Sequence, residues 1–379
     1  MESLWLVPAH TSSIPSIFTE CLWKPQKTQK GGFRFFQNQE QDQTIQSFWA
    51  IQNQNTWNVR CAVSYNCIFV IGPTAVGKTA IGVRLADKFN GEIISVDSRQ
   101  VYQGLDIGSG KDLSDYCFQG KQIPYHLIDV CDLKREYNLF DFQEDFYKAF
   151  SDITSRGKLP ICVGGTGMYL DSILRSYDMI PFVEKPGERE ELEKKSEEEL
   201  RQILIAEKEK LHNTSEFGDK ERMIKSILIN RFNISDECKR AREELRKSRP
   251  RLNPLVIGTT LDRKLVRQRI ASRLSARMEE GLVEEVDGLH QNEKENGASW
   301  SRLAALGLEY RFVSDYLRGK YKSKEEMQNL LCLAIGKFAK RQETWFRCME
   351  KNGIKIHWLL QDMDVEKRFA DACRIIAEN

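Results

Sequence analysis

The sequence of 379 residues lacks three features that mark specialised classes of protein. No apolar run approaches the roughly 20 residues of a transmembrane helix, so we expect no membrane segment. The ten cysteines form no Cys-x-x-Cys pair, which does not fit a structural zinc site and favours a reduced, intracellular protein. A large charge of one sign is also missing. With a net charge of +2, any surface for nucleic acid must come from local clustering of basic residues.

Residues 1–66 differ in composition from the rest of the chain. The stretch QNQEQDQTIQSFWAIQNQNTWN is rich in Gln and Asn and shows no clear periodicity. The whole segment has few acidic residues and carries hydroxyl residues near its start. On composition alone it fits a disordered tail and a targeting peptide equally well.

From residue 67 onward the pattern is that of an α/β protein. Short apolar runs bounded by Gly, Pro or charge predict strands, with helical stretches between several of them: CIFVIG, EIISVD, YHLIDV, KLPICVGG and PLVIGTT. Continuous apolar strands that alternate with helices indicate a parallel sheet covered on both faces. We therefore predict a P-loop-containing parallel sheet core flanked by helices, with a helical insertion and a helical C-terminal region.

The same pass along the chain predicts four segments after the extension. The first part of the core spans 67–180, a charged helical insertion follows at 181–250, and residues 251–360 complete the core with further helices. Residues 361–379 are predicted as a C-terminal tail. Within the insertion, EREELEKKSEEELRQILIAEKEKL predicts a helix with a heavily solvated face.

The run IGPTAVGKTA fits the phosphate-loop pattern G-x-x-x-x-G-K-[ST], with a predicted strand before it and a helix after it. Its glycines let backbone N–H groups face phosphate oxygens, and the helix adds its positive end. Lys78 can bridge terminal phosphate oxygens, and the Thr79 hydroxyl can bind Mg²⁺. The pattern specifies a di- or triphosphate with a metal, and not a nucleoside. The predicted phosphate-binding residues are Gly72, Pro73, Thr74, Ala75, Val76, Gly77, Lys78 and Thr79.

Asp97 falls at the carboxyl end of the second predicted strand, where open α/β sheets bind ligands. A carboxylate there can act as a base, hold a metal or cap the next helix. Asp129 is an alternative carboxylate for the metal shell, since it also follows an apolar strand.

Five motifs in this order and spacing closely resemble the tRNA dimethylallyltransferase family, also called tRNA isopentenyltransferase: GPTAVGKT, EIISVDSRQVYQGLDIG, IPYHLID, GGTGMYL and AKRQETWFR. The resemblance runs over residues 67–356. It implies that the loop binds dimethylallyl diphosphate, with Mg²⁺ as cofactor. It also implies transfer of the prenyl group to N6 of the adenosine 3′-adjacent to the anticodon, with the tRNA anticodon stem-loop as partner. A monomer is the default expectation.

The resemblance also implies roles for individual residues. Asp97 matches the general base, Lys78 the diphosphate clamp and Thr79 the Mg²⁺-binding hydroxyl. Thr166 matches a residue at the reaction centre that contacts tRNA. The implied tRNA contacts are Asp97, Ser98, Arg99, Gln100, Thr166, Arg189, Arg222, Lys225, Arg341 and Gln342.

The chain departs from the family pattern in places that concern tRNA recognition. SGKD at 109–112 and LGLEY at 306–310 replace the usual runs, and ERMIK at 221–225 keeps only Arg222 of a tRNA-contact motif. The extended zinc-finger tail of some eukaryotic members is missing. With the added N-terminus, this favours a plastid or mitochondrial enzyme over a cytoplasmic one.

Three alternatives compete with this interpretation. An adenylate isopentenyltransferase would act on free AMP, ADP or ATP, but RQETWFR and the long insertion weigh against it. A phosphate-loop kinase would use ATP as donor. An RNA-binding protein with a degenerate loop does not fit the intact Lys78, Thr79 and Asp97.

Two basic segments are candidates to hold tRNA, KRAREELRKSRPRLN at 239–253 and GKFAKRQETWFR at 336–347. Basic side chains beside an aromatic residue suit phosphate contact and base stacking. The alternative is that both segments are solvated helix faces, with Trp345 and Phe346 in the core.

Overall fold

A computed structural model describes residues 65–207 and 219–379. Nearly all of the predicted N-terminal extension lies outside the described residues, so the two interpretations of it both stay predictions. None of the helices in these ranges is long and apolar enough to cross a membrane.

The core is a six-stranded sheet, and every pair of neighbouring strands in it is parallel. In chain order its strands are β1 (Cys67–Ile71), β2 (Gly91–Val96), β5 (Tyr125–His126), β6 (Leu159–Gly164), β7 (Pro254–Gly258) and β8 (His357–Trp358). Across the sheet the order is β5-β2-β6-β1-β7-β8. The strands β3 (Cys117–Phe118) and β4 (Lys121–Gln122) form a separate antiparallel hairpin after a 3₁₀ turn at Leu113–Tyr116.

Helices cover the sheet and form the rest of the described chain. They are α1 (Lys78–Lys88), α2 (Leu139–Ser155), α3 (Gly167–Leu174), α4 (Glu188–Glu193), α5 (Glu197–Glu207), α6 (Lys220–Ile234), α7 (Asp236–Ser248), α8 (Arg263–Glu279), α9 (Leu282–Gln291), α10 (Trp300–Leu306), α11 (Leu308–Leu317), α12 (Lys324–Lys351) and α13 (Val365–Glu378).

The central strand β1 shows why the sheet is covered on both faces. All five of its residues are buried, and successive side chains enter opposite apolar clusters. Phe69 joins the cluster that contains residues of α2, α8 and α12, whereas Ile68 and Val70 join the one that contains residues of α1 and α13. Side chains alternate across a strand, so a continuous apolar run requires two cores. The predicted fold class is confirmed.

Two of the predicted elements differ from the structure. Of the run YHLIDV only Tyr125–His126 is strand, because Leu127 and Asp129 have positive φ angles of 62° and 57° that end the extended backbone. The single helix predicted from residue 188 onward is broken into α4 and α5. The reason is a capping box, in which the Ser196 hydroxyl accepts from Glu199 N and the Glu199 carboxylate accepts from Ser196 N.

Residues 361–379, set apart in the prediction as a tail, contain α13 and are part of the core. Ala372, Ile375 and Ile376 are buried in the same apolar cluster as Ile81 and Leu85 of α1. This packing ties the last helix to the helix that follows the phosphate loop.

Glu92 of β2 is the centre of a buried ion cluster at the amino end of the sheet. Its carboxylate is 2% exposed and is contacted by Arg156, by Lys158 Nζ at 2.9 Å and by His126 Nε2 at 2.8 Å. The hydrogen bonds from Arg156, helped by those from Lys158 and His126 and opposed by burial, hold the pKa of Glu92 well below its usual range. His126, in the motif IPYHLID, therefore has a structural partner.

Glu92→Gln should lower the free energy of unfolding by about 1–3 kcal/mol at pH 7, because it removes the charge that compensates the cations of Arg156 and Lys158. Because the pKa of Glu92 is lowered in the folded protein, its contribution to the free energy of unfolding is complete above the unfolded Glu pKa of about 4.3. The contribution decreases as the pH falls below that value. Urea titrations at pH 7 and at lower pH measure the difference. Exposed Glu295→Gln is the control, and a loss equal in the two variants would contradict the role of the cluster.

Candidate active site

The phosphate loop joins β1 to α1 at the carboxyl edge of the sheet, and two glycines set its path. A Cβ atom on Gly72 would lie 2.2 Å from the carbonyl oxygen of Thr259, so no side chain fits there. Gly77 has a φ of 85°, a left-handed conformation that glycine adopts without steric cost, and α1 begins directly after it. The first N–H groups of α1 thus face the concave side of the loop, as an anion site requires.

Lys78 lies within this loop. Its Nζ donates a 2.8 Å hydrogen bond to the Pro73 carbonyl oxygen. Burial lowers the pKa of Lys78 to about 8, with Asp97 opposing the shift and Arg273 adding to it. The ammonium group therefore loses its proton more readily than an exposed lysine does, and a bound anion would stabilise its charged form.

Two arginines of α8 reach the loop from the side, and the sequence reasoning missed both. Arg273 Nη2 donates a 2.5 Å hydrogen bond to Thr74 Oγ1, and Arg269 Nη1 donates to the Ala75 carbonyl oxygen at 3.5 Å. Burial first, and then the like charge of Arg277, lower the pKa of Arg273 to about 10. The spacing of four residues, which places two basic side chains on one helix face, was the available signal.

Gln342 of α12 supports the loop from a third direction. Its side chain is buried, its Oε1 accepts from Thr74 N at 2.8 Å, and its Nε2 donates to the Gly165 carbonyl oxygen at 2.8 Å. The sequence predicted a tRNA contact for Gln342. In the structure both ends of the amide are engaged inside the protein, and the tRNA contact stays a prediction.

Asp97 is a carboxylate whose charge acts on Lys78 and Arg273 of this site. Its Oδ1 accepts a 2.9 Å hydrogen bond from Arg99 N, which closes a turn, and no helix begins there. Among the residues that the structure describes, no donor contacts Oδ2. Asp97 also acts on the pKa values of Lys78 and Arg273, so its charge is close enough to be felt by both. One oxygen thus fixes the side chain, and the other is available for chemistry.

Asp129, the alternative carboxylate, is engaged elsewhere. Its Oδ1 contacts the buried Lys111 ammonium group, which also donates to Asp106 Oδ1 at 2.8 Å and to the Tyr102 carbonyl oxygen at 2.9 Å. Lys111 belongs to the SGKD run that departs from the family pattern. A carboxylate paired with a buried cation is a poor metal ligand. Of the two candidate carboxylates, Asp97 is therefore the one that remains available for the site.

Thr166 connects the ends of β2 and β6 beside Asp97. Its Oγ1 accepts from Ser98 N at 3.1 Å, and its backbone N donates to the Val96 carbonyl oxygen at 3.3 Å. Although Thr166 precedes α3, its side chain makes no capping hydrogen bond to that helix. The structure therefore brings Asp97, Ser98, Thr166 and the phosphate loop to one edge of the sheet.

The predicted Mg²⁺ ligand Thr79 lies in the first turn of α1. In the described part of the chain its hydroxyl makes no side-chain hydrogen bond. A hydroxyl oxygen beside a phosphate-binding loop is a hard ligand of the kind that Mg²⁺ prefers. The donor set thus fits a magnesium ion bound jointly with phosphate oxygens.

The other predicted tRNA contacts fall into two groups. Two are engaged within the protein: Arg189 pairs with Glu184 and Glu221, both at 2.8 Å, and the Gln100 amide joins Ser95 Oγ to the Gly110 carbonyl oxygen. The exposed ones are Arg222, Lys225 and Arg341, and Arg99 is partly buried.

The two basic segments differ in how their charges are compensated. In α7 several cations are paired locally, for example Arg246 with Asp178. In the segment 336–347 of α12, four exposed cations have no carboxylate within ion-pair distance in the described ranges: Lys337, Lys340, Arg341 and Arg347. Phe346 is buried, whereas the Trp345 ring packs against Gly167, next to Thr166. The unpaired basic face, called here the α12 face, therefore borders the site.

Family models, curated relatives and solved structures all match this chain to isopentenyl or dimethylallyl transferases. The family described as IPP transferase matches residues 100–349, and the one described as Isopentenyl transferase matches residues 65–123. A protein of Treponema denticola named tRNA dimethylallyltransferase 2 is 48% identical over 297 residues, which are 78% of this chain and 96% of that one. A protein of Syntrophus aciditrophicus named tRNA dimethylallyltransferase 1 is 46% identical over 78% of this chain and 94% of its own length.

Among solved structures, the full-length tRNA isopentenylpyrophosphate transferase of Bacillus halodurans is similar at 30% identity and a TM-score of 0.59. The match covers 83% of this chain and 96% of that one. A eukaryotic dimethylallyltransferase solved while acting on tRNA shares the fold, with a TM-score of 0.60 at 21% identity over 81% of this chain and 76% of that one.

The lowered pKa of Lys78 predicts pH-dependent anion binding. Below pH 8 the ammonium group is charged in the free protein, and above pH 8 it must take up a proton when a polyanion binds. We expect the affinity for inorganic pyrophosphate to fall above about pH 8 and binding there to be coupled to proton uptake. Calorimetry in buffers of different ionisation enthalpy measures both.

Lys78→Arg is the control for this prediction, because a guanidinium stays charged throughout this range while pyrophosphate titrates equally in both proteins. The same pH profile and the same proton uptake in the variant would assign the effect to groups other than Lys78.

Proposed function

Because the chain belongs to the tRNA dimethylallyltransferase family, it is a prenyltransferase acting on tRNA, and we propose the reaction in detail. It transfers the dimethylallyl group of dimethylallyl diphosphate to N6 of the adenosine 3′-adjacent to the anticodon, and diphosphate leaves. The protein acts as a monomer on the anticodon stem-loop. The observation that carries this proposal is the meeting of a cationic phosphate loop and a fixed carboxylate, Asp97, at one sheet edge.

Bond making and breaking divide between these two parts of the site. The N6 lone pair attacks C1 of the allylic donor, the C1–O bond breaks, and its electron pair goes to the diphosphate. The exocyclic amine is a weak nucleophile, since its lone pair is delocalised into the purine ring. Asp97 Oδ2 accepts the amine proton as the bond forms, which avoids a cationic product. The turn closed by Oδ1 and Arg99 N holds the carboxylate in position.

The leaving group is stabilised by charges that are in place before the reaction. The negative charge develops beside the N–H groups of the loop and three cations that contact the loop: Lys78, Arg269 and Arg273. When bound, Mg²⁺ would neutralise part of the diphosphate charge, with the Thr79 hydroxyl as its protein ligand. Because these groups are largely buried, their interaction with the diphosphate is stronger than it would be in water.

The α12 face supports tRNA rather than a free nucleotide as the acceptor. Its cations and Trp345 suit the phosphates and bases of a folded RNA next to Thr166. A free nucleotide would fit within the cleft and would not need them. This face is preferred over α7, where the charges are partly neutralised by neighbours.

Product analysis tests the proposed function directly. The full chain is incubated with dimethylallyl diphosphate and Mg²⁺, together with either unmodified tRNA or free adenine nucleotides, and the products are digested. Prenylated adenosine from tRNA, located next to the anticodon, is the expected result. Prenylated free nucleotide alone would replace this proposal with the adenylate enzyme, and turnover of ATP without prenyl transfer would replace it with a kinase.

Asp97→Asn should lower the single-turnover rate of prenyl transfer by about 10²–10⁴-fold, because the base is lost. The Asn side-chain oxygen can still accept from Arg99 N, so the turn is kept. Rapid quenching with a prenyl donor and an anticodon stem-loop measures the rate, and an unchanged circular dichroism spectrum serves as the control for folding. A variant with a near-native rate would exclude Asp97 as the base.

Arg341→Ala should weaken tRNA binding and reduce the slope of log K against log salt concentration by about 1, because one phosphate contact is lost. Filter binding over a range of about 50–200 mM salt measures the slope. Arg246→Ala, on the basic helix α7, is the matched control and should change the slope less. Equal effects of the two substitutions would contradict the preference for the α12 face.

A further inference from the structure

Arg368 of α13 reaches the phosphate loop from the last helix of the chain. Its side chain is fully buried. Nη1 donates to the Val76 carbonyl oxygen at 2.5 Å and to Thr259 Oγ1 at 3.1 Å. Arg368 lies in the segment predicted as a tail, beyond the last motif that carries the family resemblance.

Two donor atoms of this buried guanidinium have no partner. Nε and Nη2 make no hydrogen bond, and within residues 65–207 and 219–379 no carboxylate lies at ion-pair distance. A buried cation with unmade hydrogen bonds is costly, and proteins compensate such groups with an anion or a partner. The protein itself supplies none to these two atoms.

Of the two unpaired donors, Nη2 lies beside the start of α1. A Cβ atom on Gly77 would lie 3.3 Å from Arg368 Nη2 and 3.8 Å from Arg269 Nη1. Two guanidinium groups therefore converge on one glycine, at the position where the loop becomes a helix. Burial, and next the like charge of Arg269, lower the pKa of Arg368. Two mutually repelling cations beside a helix N-terminus form a site for a multiply charged anion.

We propose that Arg368 is a further ligand of the diphosphate, donating from Nη2 beside Gly77 while Nη1 fixes the loop. This inference rests on the proposed function, since it assigns Arg368 to the leaving group of prenyl transfer. As the C1–O bond breaks and its electron pair moves to the diphosphate oxygen, Arg368 stabilises the charge that accumulates there. The C-terminal helix is thus part of the binding site and not only a cover for the sheet.

Titration of the full chain with inorganic pyrophosphate in the presence of Mg²⁺ tests this role by calorimetry. Arg368→Met, which keeps most of the volume but no donor, should weaken binding by about tenfold or more. Arg368→Lys retains a charge and should recover part of that loss. Arg374→Met on the exposed side of the same helix is the matched control and should bind as the native chain does.

Thr259→Val separates anion binding from support of the loop. It removes one contact that fixes Nη1 but leaves the guanidinium in place, so we expect a change of no more than about threefold. Equal losses for Thr259→Val and Arg368→Met would show that Arg368 only holds the loop, and native affinity in Arg368→Met would overturn the proposal outright. If Arg368→Met does not fold, the comparison of Arg368→Lys with Thr259→Val decides in the same way.

The titration requires neither tRNA nor a prenyl donor. Suppose that Arg368→Met loses pyrophosphate binding but the native protein yields no prenylated adenosine. The proposed reaction would then be rejected, and the inference about Arg368 would be kept. If the native protein prenylates tRNA but Arg368→Met binds pyrophosphate with native affinity, only the inference about Arg368 would be rejected.

Discussion

The structure depends on one constraint, which is that a short loop of backbone N–H groups must keep a concave shape around a multiply charged anion. The loop cannot fix this shape alone, because glycine at its two ends gives it freedom. Contacts from distant parts of the chain fix it instead. Gln342 holds Thr74 N, Arg273 holds the Thr74 hydroxyl, Arg368 holds the Val76 carbonyl, and Thr259 closes against Gly72. Helices α8, α12 and α13 therefore all converge on the loop, and the sheet aligns them there.

The same contacts concentrate positive charge that the protein does not neutralise. Lys78, Arg269, Arg273 and Arg368 surround the loop, and burial lowers the pKa values of Lys78, Arg273 and Arg368. Such an arrangement is electrostatically unfavourable without a ligand and becomes favourable when a diphosphate binds. The cluster around Glu92 at the opposite edge shows the contrast. There a buried carboxylate pairs with Arg156 and Lys158 and contacts the His126 ring, so the interaction contributes to stability.

The sequence predicts those features of the fold and the site whose residues lie close together in the chain. The phosphate loop, Asp97 and Thr166 lie in compact motifs, and apolar runs with helices between them predict the parallel sheet. Arg269, Arg273 and Arg368 were missed because each meets the loop from a helix about 190 to 290 residues further along the chain. Side-chain spacing within a helix cannot tell which partner that helix will face. The support that Gln342 gives to the loop was missed for the same reason, since its motif shows its position but not the direction of its side chain. The early end of β5 escaped prediction because positive φ angles at Leu127 and Asp129 carry no apolar signature.

The long helix α12 shows how the two substrates can be served by one rigid element. Successive residues of a helix point about 100° apart, so neighbours in sequence face different surroundings. Gln342 points inward and fixes the phosphate loop, whereas Arg341 points outward on the basic α12 face. Trp345, one turn further on, packs on Gly167 beside Thr166. The phosphate loop and the basic α12 face are therefore positioned by adjacent residues of one helix. The distance between the two sites is thus set by the fold, and the acceptor amine can be brought to the allylic carbon without a separate device that aligns the substrates.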